Sequence, residues 1–220
     1  MSSEIIINST RGKSRIGLLK EKKLVEFHQE TDEVKFNVGD IYFGRIKKIN
    51  KSLNASFVDL GSEKDAFLHY LDLGPQFLSL KKLVKEQKKN KKNIFSSIKR
   101  EKDINKFGTI NEVCSKGDDI LVQVVKEPIS TKGPRVTTEL SLAGRYLILV
   151  AFSDAINVSK KITNKEERSR LINLIKAIKP KNFGVIVRTN AESKPVSELD
   201  KDLQDLVSLW NTKIIKLFKS

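Results

Sequence analysis

The chain has few of the residues that build disulfides, zinc sites and membrane anchors. Its 220 residues include one cysteine, Cys114, and two histidines, His28 and His69. A single cysteine excludes an internal disulfide and a cysteine-based zinc site within one chain. No apolar run reaches the roughly 18 residues of a membrane helix, and the opening "MSSEIIINST" lacks the basic start and apolar stretch of a signal peptide. We therefore expect a cytoplasmic protein without a membrane span.

Motifs for phosphodiester cleavage and nucleotide hydrolysis are also missing. Metal-assisted cleavage needs several carboxylates around Mg²⁺ or Mn²⁺, but the acidic residues fall mostly in turns or on predicted helix surfaces, as Glu167 and Asp202 do. Asp59, after "SFV", is the nearest candidate, but a single carboxylate is too few to hold a metal ion. The stretches "GSEKDAFLH" and "STKGPR" lack the spacing of a phosphate-binding loop. We therefore predict no catalytic residue, no metal ligand and no cofactor in this chain.

Charge is the most informative property of the composition. Forty-two Lys and Arg against 27 Asp and Glu give a net charge of +15. This excess predicts a polyanionic partner, either nucleic acid or an acidic membrane surface, although a generally lysine-rich proteome would also produce it. Residues 81–106 carry eleven positive and three negative charges. With few apolar positions, this block is predicted to be a solvated, mobile insertion that does not pack against a core.

The first half of the chain is predicted to be mostly β. The runs "EIIINS", "RIGLLK" and "LVEFHQE" are separated by short polar segments, which favours a three-stranded meander. From "VGDIYFGRIKKIN" to "DAFLHYLDLG", Gly39, Gly44 and Gly61 fall where strands must bend or turn. Five short strands with glycine corners are typical of a small barrel of the OB type.

The second half mixes strands and helices. Strands are predicted in "DDILVQVVKEP", in "RVTTELSLAGRYLILV" around Gly144, and in "GVIVRT". A helix is predicted from a capping box of Asn164 and Glu167 up to Pro180. The last helix is predicted to start at Ser197 and to need a surface beyond the one the chain supplies. Its apolar stripe comprises Leu199, Leu203, Leu206, Trp210, Ile214 and Phe218.

Two aromatic residues and two lysines are candidates for contact with nucleic acid. Phe57 and Phe67 lie on neighbouring strand positions, where the rings either fill the barrel or stand outside it as platforms for bases. Lys126 and Lys132 bracket the loop in "VVKEPISTKGPR", where a lysine either stays solvated or neutralises a phosphate. The residue pattern by itself leaves both alternatives open.

Arg188 and Thr189 end the strand in "FGVIVRTNAES". A planar guanidinium beside a hydroxyl matches the oxygens of a phosphate group. The alternative is an exposed arginine at the end of an edge strand, followed by a threonine that caps a turn. These residues are therefore candidates for an anion site at a strand end.

Three long segments together resemble the amino-terminal part of the ribonuclease E/G family of bacterial endoribonucleases: "VGDIYFGRIKKINKSLNASFVDLGSEKDAFLHYLDL", "ILVQVVKEPISTKGPRVTTELSLAGRYLILV" and "FGVIVRTNAE". The stretches "LHYLDLGPQF" and "KPKNFGVIVRT" are most similar to the ribonuclease G type of Bacteroidetes-like bacteria. The resemblance implies an α+β fold in which an OB-fold barrel of the S-one type is inserted into a partial RNase H-like fragment. The implied divisions are RNase H-like strands (1–35), the barrel (36–126, with the basic insertion 78–108), a 5′-sensor subdomain (127–195) and a C-terminal helix (196–220).

The resemblance also implies roles for particular residues. The family's two barrel aromatics, which contact single-stranded RNA, match Phe57 and Phe67. The lysine of the family's "KG" loop matches Lys132, whereas Lys126 is a candidate from the residue pattern alone. The family's pocket for a 5′-monophosphate matches "SLAG", "YLIL" and "RT", and Lys160 in "VSKKI" stands where many relatives carry a supporting arginine. The implied phosphate-binding residues are Gly144, Ile148, Lys160, Arg188 and Thr189.

The implied function is RNA binding and 5′-monophosphate sensing within an endoribonuclease of RNA processing and decay. The complete family enzyme uses Mg²⁺, whereas this chain stops at "IIKLFKS", before the metal-binding aspartates and zinc-ligand cysteines of the family. We therefore expect the chain to be inactive alone. The alternatives are a stand-alone, non-catalytic single-stranded-RNA-binding module, and a polyanion binder that acts through the lysine-rich block. A further alternative is a chain whose last helix docks a separate catalytic half or a second copy.

Overall fold

A computed structural model describes residues 3–10, 13–31, 36–90 and 93–218 of the chain. It divides into two compact units, Met1–Phe36 and Asn37–Ser220. Within the described ranges, no helix is both long enough and apolar enough to cross a membrane.

The first unit is an antiparallel sheet of three strands, as the alternating runs predict. The strands are β1 (Ser3–Thr10), β2 (Lys13–Lys20) and β3 (Lys23–Thr31) in the order β1-β2-β3. Glu21 and Lys22 form the turn between β2 and β3, and both have positive φ, 52° and 63°. Two consecutive residues with positive φ match the right-handed twist of a hairpin. The predicted meander is confirmed.

The second unit begins with a closed barrel of five strands. They are β4 (Ile41–Asn50), β5 (Ala55–Asp59), β6 (Ala66–His69), β7 (Asp119–Lys126) and β8 (Arg135–Thr137). Their order around the barrel is β4-β5-β6-β8-β7, with β6 and β8 parallel through the pair Phe67–Arg135. The number of strands and the closure agree with the predicted small barrel. The last strand, however, lies beyond the boundary predicted at residue 126.

A four-stranded sheet with two long helices follows the barrel. The strands are β9 (Ser141–Ala143), β10 (Leu147–Ala151), β11 (Ile156–Val158) and β12 (Phe183–Val187) in the order β11-β12-β10-β9. The helix α3 (Lys165–Ile178) connects the parallel strands β11 and β12, and a helix over Val196–Leu209 packs against β10. Asn164 caps α3 as predicted, because its side chain accepts from the Glu167 N–H at 3.1 Å. The mixed α+β class is therefore confirmed.

The lysine-rich block is not a solvated insertion over 81–90 and 93–106, so that prediction is wrong there, and residues 91 and 92 lie outside the described residues. Residues Phe77–Gln87 form a helix, α1, that buries Phe77, Leu80, Leu83 and Val84. A short helix, α2, covers Ile110–Val113. The apolar side chains of α1 recur at a spacing of three to four residues, so they share one face that packs on β7 while the lysines lie on the other. A count of the charges in the block does not reveal this spacing of apolar residues.

Several lysines of the block are also paired. Lys81 Nζ lies 2.7 Å from Asp118 Oδ2, and Lys88 Nζ lies 2.5 Å from Asp119 Oδ2. These contacts tie α1 to the start of β7. The net positive charge that the block offers to a polyanion is therefore smaller than its composition indicates.

Residues after α1 enter the hydrophobic core. The Phe95 ring is 2% exposed, and its centroid lies 4.8, 4.5 and 4.7 Å from the rings of Phe152, Phe183 and Trp210. The Asn182 side-chain amide donates to the carbonyls of Phe95 and Ile98 at 2.8 and 3.0 Å. The segment that composition places in solvent therefore closes the core of this sheet.

The last helix, α4, runs over Val196–Leu209, and a π-helical turn over Trp210–Ile214 continues it. Pro195 precedes it and no side chain caps it, so the start predicted at Ser197 lies one residue late. A 3₁₀ turn, Ile215–Phe218, ends the described chain. The apolar stripe is covered by the unit itself, and five of its six predicted members are buried: Leu199, Leu203, Leu206, Trp210 and Ile214. The predicted need for a surface beyond the one the chain supplies is therefore wrong for these five residues, whereas docking of a catalytic half or a second copy through this helix stays a prediction.

Candidate nucleic-acid interface

A row of five side-chain positions crosses the outside of the barrel. Lys48 on β4 pairs with Phe57 on β5, and Phe57 pairs with Phe67 on β6. Phe67 pairs with Arg135 on β8, which pairs with Lys126 on β7. Residues paired across strands share one face of a sheet. The register therefore puts two aromatic rings in the middle of the row and cations at both ends.

Both rings stand outside the barrel. Their strand neighbours Ser56, Val58 and Leu68 are fully buried, while Phe57 and Phe67 are half-buried. Successive side chains of a strand point to opposite faces, so the rings lie on the outer one. Their centroids are 5.9 Å apart with an interplanar angle of 69°. This edge-to-face pair leaves ring surface on which a base can stack.

A groove of about 680 Å³ is lined by all four residues that are predicted to contact RNA. Its lining includes Phe57, Phe67, Lys126 and Lys132. Exposed apolar side chains extend the wall on either side, since Leu53 and Ile129 are 52% and 69% exposed. The groove thus combines apolar surface with cations that are not buried. This combination suits a strand with planar bases and a charged backbone.

The loop that carries Lys132 is docked closely against β6. A Cβ atom at Gly133 would lie 2.1 Å from the Asp65 carbonyl oxygen, so the backbones approach as closely as glycine alone allows. Phe67 N–H donates to the Pro134 carbonyl at 2.8 Å, and Lys64 Nζ donates to the Ser130 carbonyl at 2.5 Å. These contacts hold the loop beside the rings.

Sequence reasoning missed several residues of this groove. Arg135 donates through Nε and Nη2 to the Asp72 carboxylate at 2.9 and 3.0 Å, and these hydrogen bonds raise the pKa of Arg135. Lys64 joins the lining, and the His69 ring lies 6.5 Å from Phe67. Arg135 follows the loop at the predicted strand "RVTTEL", but its partner strand, β6, is far away in sequence. Without that pairing, nothing in the sequence puts it beside Phe67.

A second depression, of about 310 Å³, lies at the end of β12. Arg188 and Thr189 line it together with Ser159, Ile186, Val187 and Asn190. Ile148 pairs with Ile186 across β10 and β12, which puts Ile148 beside the depression. Three of the predicted phosphate-binding residues are therefore neighbours at one site.

Gly144 reaches this site through its carbonyl group. Arg188 Nη1 donates to the Gly144 oxygen at 2.5 Å, and the other guanidinium N–H groups meet no acceptor among the described residues. The Gly144 N–H is already donated to the Leu147 carbonyl at 2.8 Å. Gly144 therefore orients Arg188, and its own amide is occupied.

Lys160, the predicted stand-in for an arginine, is exposed and does not line the depression. Arg168 on α3, which sequence reasoning missed, supports the turn instead. Its guanidinium donates to the carbonyls of Ser159 at 2.7 Å, Ile162 at 2.9 Å and Val158 at 3.3 Å. The local signal for this role is weak, because an arginine in a first helical turn is typically solvated.

Ser159 and Thr189 form a short hydrogen-bonded chain. Lys161 N–H donates to Ser159 Oγ at 3.3 Å, and Ser159 Oγ lies 2.9 Å from Thr189 Oγ1. Either hydroxyl can donate in this pair; when Ser159 donates to Thr189, the Thr189 proton is left for a ligand. Chains of this kind polarise each successive donor.

The Glu167 carboxylate fixes the loop after Thr189. Its Oε1 accepts from the Ser193 N–H and from Arg170 Nη2, both at 2.8 Å, and its Oε2 accepts from Arg170 Nε at 2.7 Å. Hydrogen bonds from Arg170, and then from the Ser193 amide, lower the pKa of Glu167 from 4.5 to about 2. The carboxylate therefore joins α3 to the loop that follows the candidate anion site.

This pKa predicts a pH-dependent difference between Glu167→Gln and the unchanged protein. A depressed pKa contributes stability that is complete above the unfolded value of 4.5 and is lost as the pH falls towards about 2. At pH 7, we expect Glu167→Gln to lower the free energy of unfolding by about 1–2 kcal/mol, as measured by urea titration. The deficit should shrink as the pH falls to 2. Glu166→Gln, an exposed neighbour, is the control; a deficit unchanged at pH 2 would refute the assignment.

The described residues do not supply a Mg²⁺ site. Over 3–10, 13–31, 36–90 and 93–218, no three His, Cys, Asp or Glu side chains come together as metal ligands. The Mg²⁺ that the family resemblance implies is therefore not fitted by these residues.

Comparison with known proteins assigns the chain to a family. The "Ribonuclease E/G family" sequence model matches residues 141–219. Ribonuclease G of Haemophilus influenzae is 36% identical over 207 residues, which is 94% of this chain and 39% of that protein. Ribonuclease G of Escherichia coli K12 is 33% identical over 216 residues, which is 98% of this chain and 40% of that protein.

Ribonuclease E of Synechocystis is 37% identical over 174 residues, which is 79% of this chain and 22% of that protein. Among solved structures, an exosome-complex RNA-binding protein covers 83% of this chain with 17% identity and a TM-score of 0.29, which is too low to support an argument. The chain spans about 40% of the ribonuclease G relatives, with matches along nearly all of its own length. On these similarities, it belongs to the ribonuclease E/G family.

Proposed function

We propose that the chain binds single-stranded RNA along the groove on the outside of its barrel. The observation that carries this proposal is the cross-strand row in which Phe57 and Phe67 lie between Lys48 on one side and Arg135 and Lys126 on the other. Bases stack on the rings, and the flanking cations neutralise phosphates. Because every base has a π-face, this arrangement binds RNA with little sequence preference. Affinity then falls with rising salt.

We propose further that the depression at the end of β12 holds a 5′-terminal monophosphate. Arg188 has guanidinium N–H groups without an acceptor in the part of the chain that the structure describes, and it lies beside the hydroxyl pair of Thr189 and Ser159. Charge-assisted hydrogen bonds from a guanidinium and a polarised hydroxyl favour a terminal phosphate over a hydroxyl. Ile148 and Ile186 form an apolar wall next to these donors.

Together, the two sites describe the RNA-binding and 5′-monophosphate-sensing portion of a ribonuclease E/G family endoribonuclease. Such a protein acts in RNA processing and decay, on messenger and ribosomal RNA, and its partner here is single-stranded RNA in the cytoplasm. The proposal is supported by the family assignment and by the positions of the predicted residues. The stand-alone RNA-binding module, in which the barrel works without the sensor, is the alternative outcome of the test below.

Arg188→Ala tests the sensor. The unchanged chain should bind a 5′-monophosphorylated oligoribonucleotide at least about tenfold more tightly than the 5′-hydroxyl form, since each charge-assisted hydrogen bond contributes about 1.5–3 kcal/mol. Arg188→Ala should bring this ratio close to one and leave the affinity for the hydroxyl form nearly unchanged. Fluorescence anisotropy at about 0.15 M salt, where surface charges are screened beyond about 8 Å, measures both affinities.

Lys181→Ala is the matched control, because it removes an exposed cation that lines neither site. It should keep the ratio of the unchanged chain. Equal binding of both RNAs by the unchanged chain would instead support the stand-alone binding module and refute the sensor.

A further inference from the structure

Asp202, on α4, binds three consecutive backbone amides. Its Oδ1 accepts from Arg145 N–H at 3.0 Å, and its Oδ2 accepts from Tyr146 N–H at 3.0 Å and Leu147 N–H at 2.9 Å. Successive amides that converge in this way form a concave anion site. In this protein a carboxylate of its own chain fills it. Asp202 lies on the surface of a helix as predicted, but its carboxylate is engaged by these amides.

Gly144 makes room for this carboxylate. A Cβ atom at Gly144 would lie 2.6 Å from Asp202 Oδ2 and 2.7 Å from Oδ1, closer than van der Waals contact allows. Gly144 does not have positive φ, so its backbone does not require glycine. The missing side chain serves the approach of Asp202.

The turn held by Asp202 in turn holds Arg188 at two points. Arg188 N–H donates to the Tyr146 carbonyl at 2.8 Å, and Arg188 Nη1 donates to the Gly144 carbonyl at 2.5 Å. The first contact fixes the backbone of Arg188 and the second fixes its guanidinium. Both acceptors belong to the turn whose amides end on Asp202.

We propose that Asp202 is a positioning residue that sets the preference of this protein for a 5′-phosphate. This inference rests on the proposed sensor function. The carboxylate holds the 144–147 turn so that the Gly144 carbonyl aims the Arg188 fork at the depression. It also occupies the three amides, so a phosphate cannot bind at the turn and is directed to Arg188 and Thr189. Helix α4 therefore takes part in recognition of the RNA end without touching it.

Asp202→Ala and Gly144→Ala provide independent tests. The first removes the carboxylate, and the second displaces it through the added Cβ. We expect each to lower the ratio of affinities for 5′-monophosphorylated and 5′-hydroxyl RNA at least about fivefold, since charge-assisted contacts of Arg188 are lost. The affinity for 5′-hydroxyl RNA should change less than about twofold, because the barrel groove is unaltered. A variant that loses its fold would bind both RNAs more weakly by the same factor. That result would overturn the inference for that variant.

The matched control is Asp205→Ala, an exposed carboxylate on the same helix, which should keep the full ratio. Asp202→Asn retains the shape and one acceptor oxygen, so it should fold where alanine does not, with a ratio below that of the unchanged chain. A double-mutant cycle with Arg188→Ala is decisive. In that background, Asp202→Ala should have no further effect on the ratio, because it acts through Arg188.

The outcomes separate the two proposals. If the unchanged chain distinguishes the RNAs and Asp202→Ala, Asp202→Asn and Gly144→Ala do so equally well, Asp202 is not a positioning residue and the sensor proposal stands. If the effects of Asp202→Ala and Arg188→Ala simply add, Asp202 does not act through Arg188. If the unchanged chain does not distinguish the RNAs, the sensor proposal fails and this inference fails with it.

Discussion

Phe95→Ala is expected to lower the free energy of unfolding by about 3–5 kcal/mol, the usual cost of removing a buried ring from a packed core. The ring is 2% exposed and contacts Phe152, Phe183 and Trp210. Alanine would leave a cavity between three aromatic rings on separate elements, which cannot close without moving the sheet. Urea unfolding followed by circular dichroism measures the change through a shift of the midpoint.

Phe107→Ala is the matched control, since this ring is 88% exposed. It should change the free energy of unfolding by less than about 0.5 kcal/mol, as surface substitutions usually do. Equal effects of the two variants would mean that the segment after α1 does not belong to the core. In that case, the solvated insertion expected from composition would be the better description.

Phe57→Ala and Phe67→Ala are each expected to weaken binding of single-stranded RNA about 5- to 150-fold, because stacking of one base on an aromatic ring contributes about 1–3 kcal/mol. The rings stand on the outside of the barrel, so their removal should cost less stability than that of a core ring. Anisotropy with a 5′-hydroxyl oligoribonucleotide isolates this effect from the proposed end recognition.

The double variant should lose less than the sum of the two single losses. The rings contact one another with centroids 5.9 Å apart, and neighbouring residues are generally not additive. Phe107→Ala serves again as the control, because it removes an exposed ring outside the groove. Undiminished binding by both single variants would leave general charge attraction as the source of RNA affinity.

The barrel and the three-stranded meander could be predicted because their signals are local. Alternating apolar residues give strands, and glycines or short polar segments give the turns between them. The cap of α3 is equally local, since Asn164 and the Glu167 amide are three residues apart. Each of these features depends on residues that are close in sequence.

The row across the barrel depends on contacts between distant segments. Lys48 and Phe57 are on a hairpin, but Arg135 reaches Phe67 by way of a parallel pairing between strands far apart in the chain. Phe57 and Phe67 entered the prediction as one pair and Lys126 and Lys132 as another, and the resemblance then supported Phe57, Phe67 and Lys132. Their meeting in one groove could not be read from their spacing. Asp202 is a similar case, because its partners lie more than fifty residues earlier.

The prediction of a solvated insertion for the lysine-rich block was wrong for a different reason. Composition averages over the two faces of a helix, and α1 has apolar residues on one and lysines on the other. A moderate apolar period with a high overall charge is the pattern of a surface helix. Phe95 and Ile98 are further held by the Asn182 side-chain amide, which donates to their carbonyls although it lies 87 and 84 residues later in the sequence.

Helix α4 and its continuation contact both the turn behind Arg188 and the barrel. Asp202 in the helix holds the turn behind Arg188, and at the end of the continuation the Phe218 ring packs edge-on against Phe43 of β4, with centroids 5.9 Å apart. The helix and the turns that continue it therefore join the turn behind Arg188 to β4 of the barrel. Under the proposed function, this connection would set the spacing between the bound RNA terminus and the first stacked base.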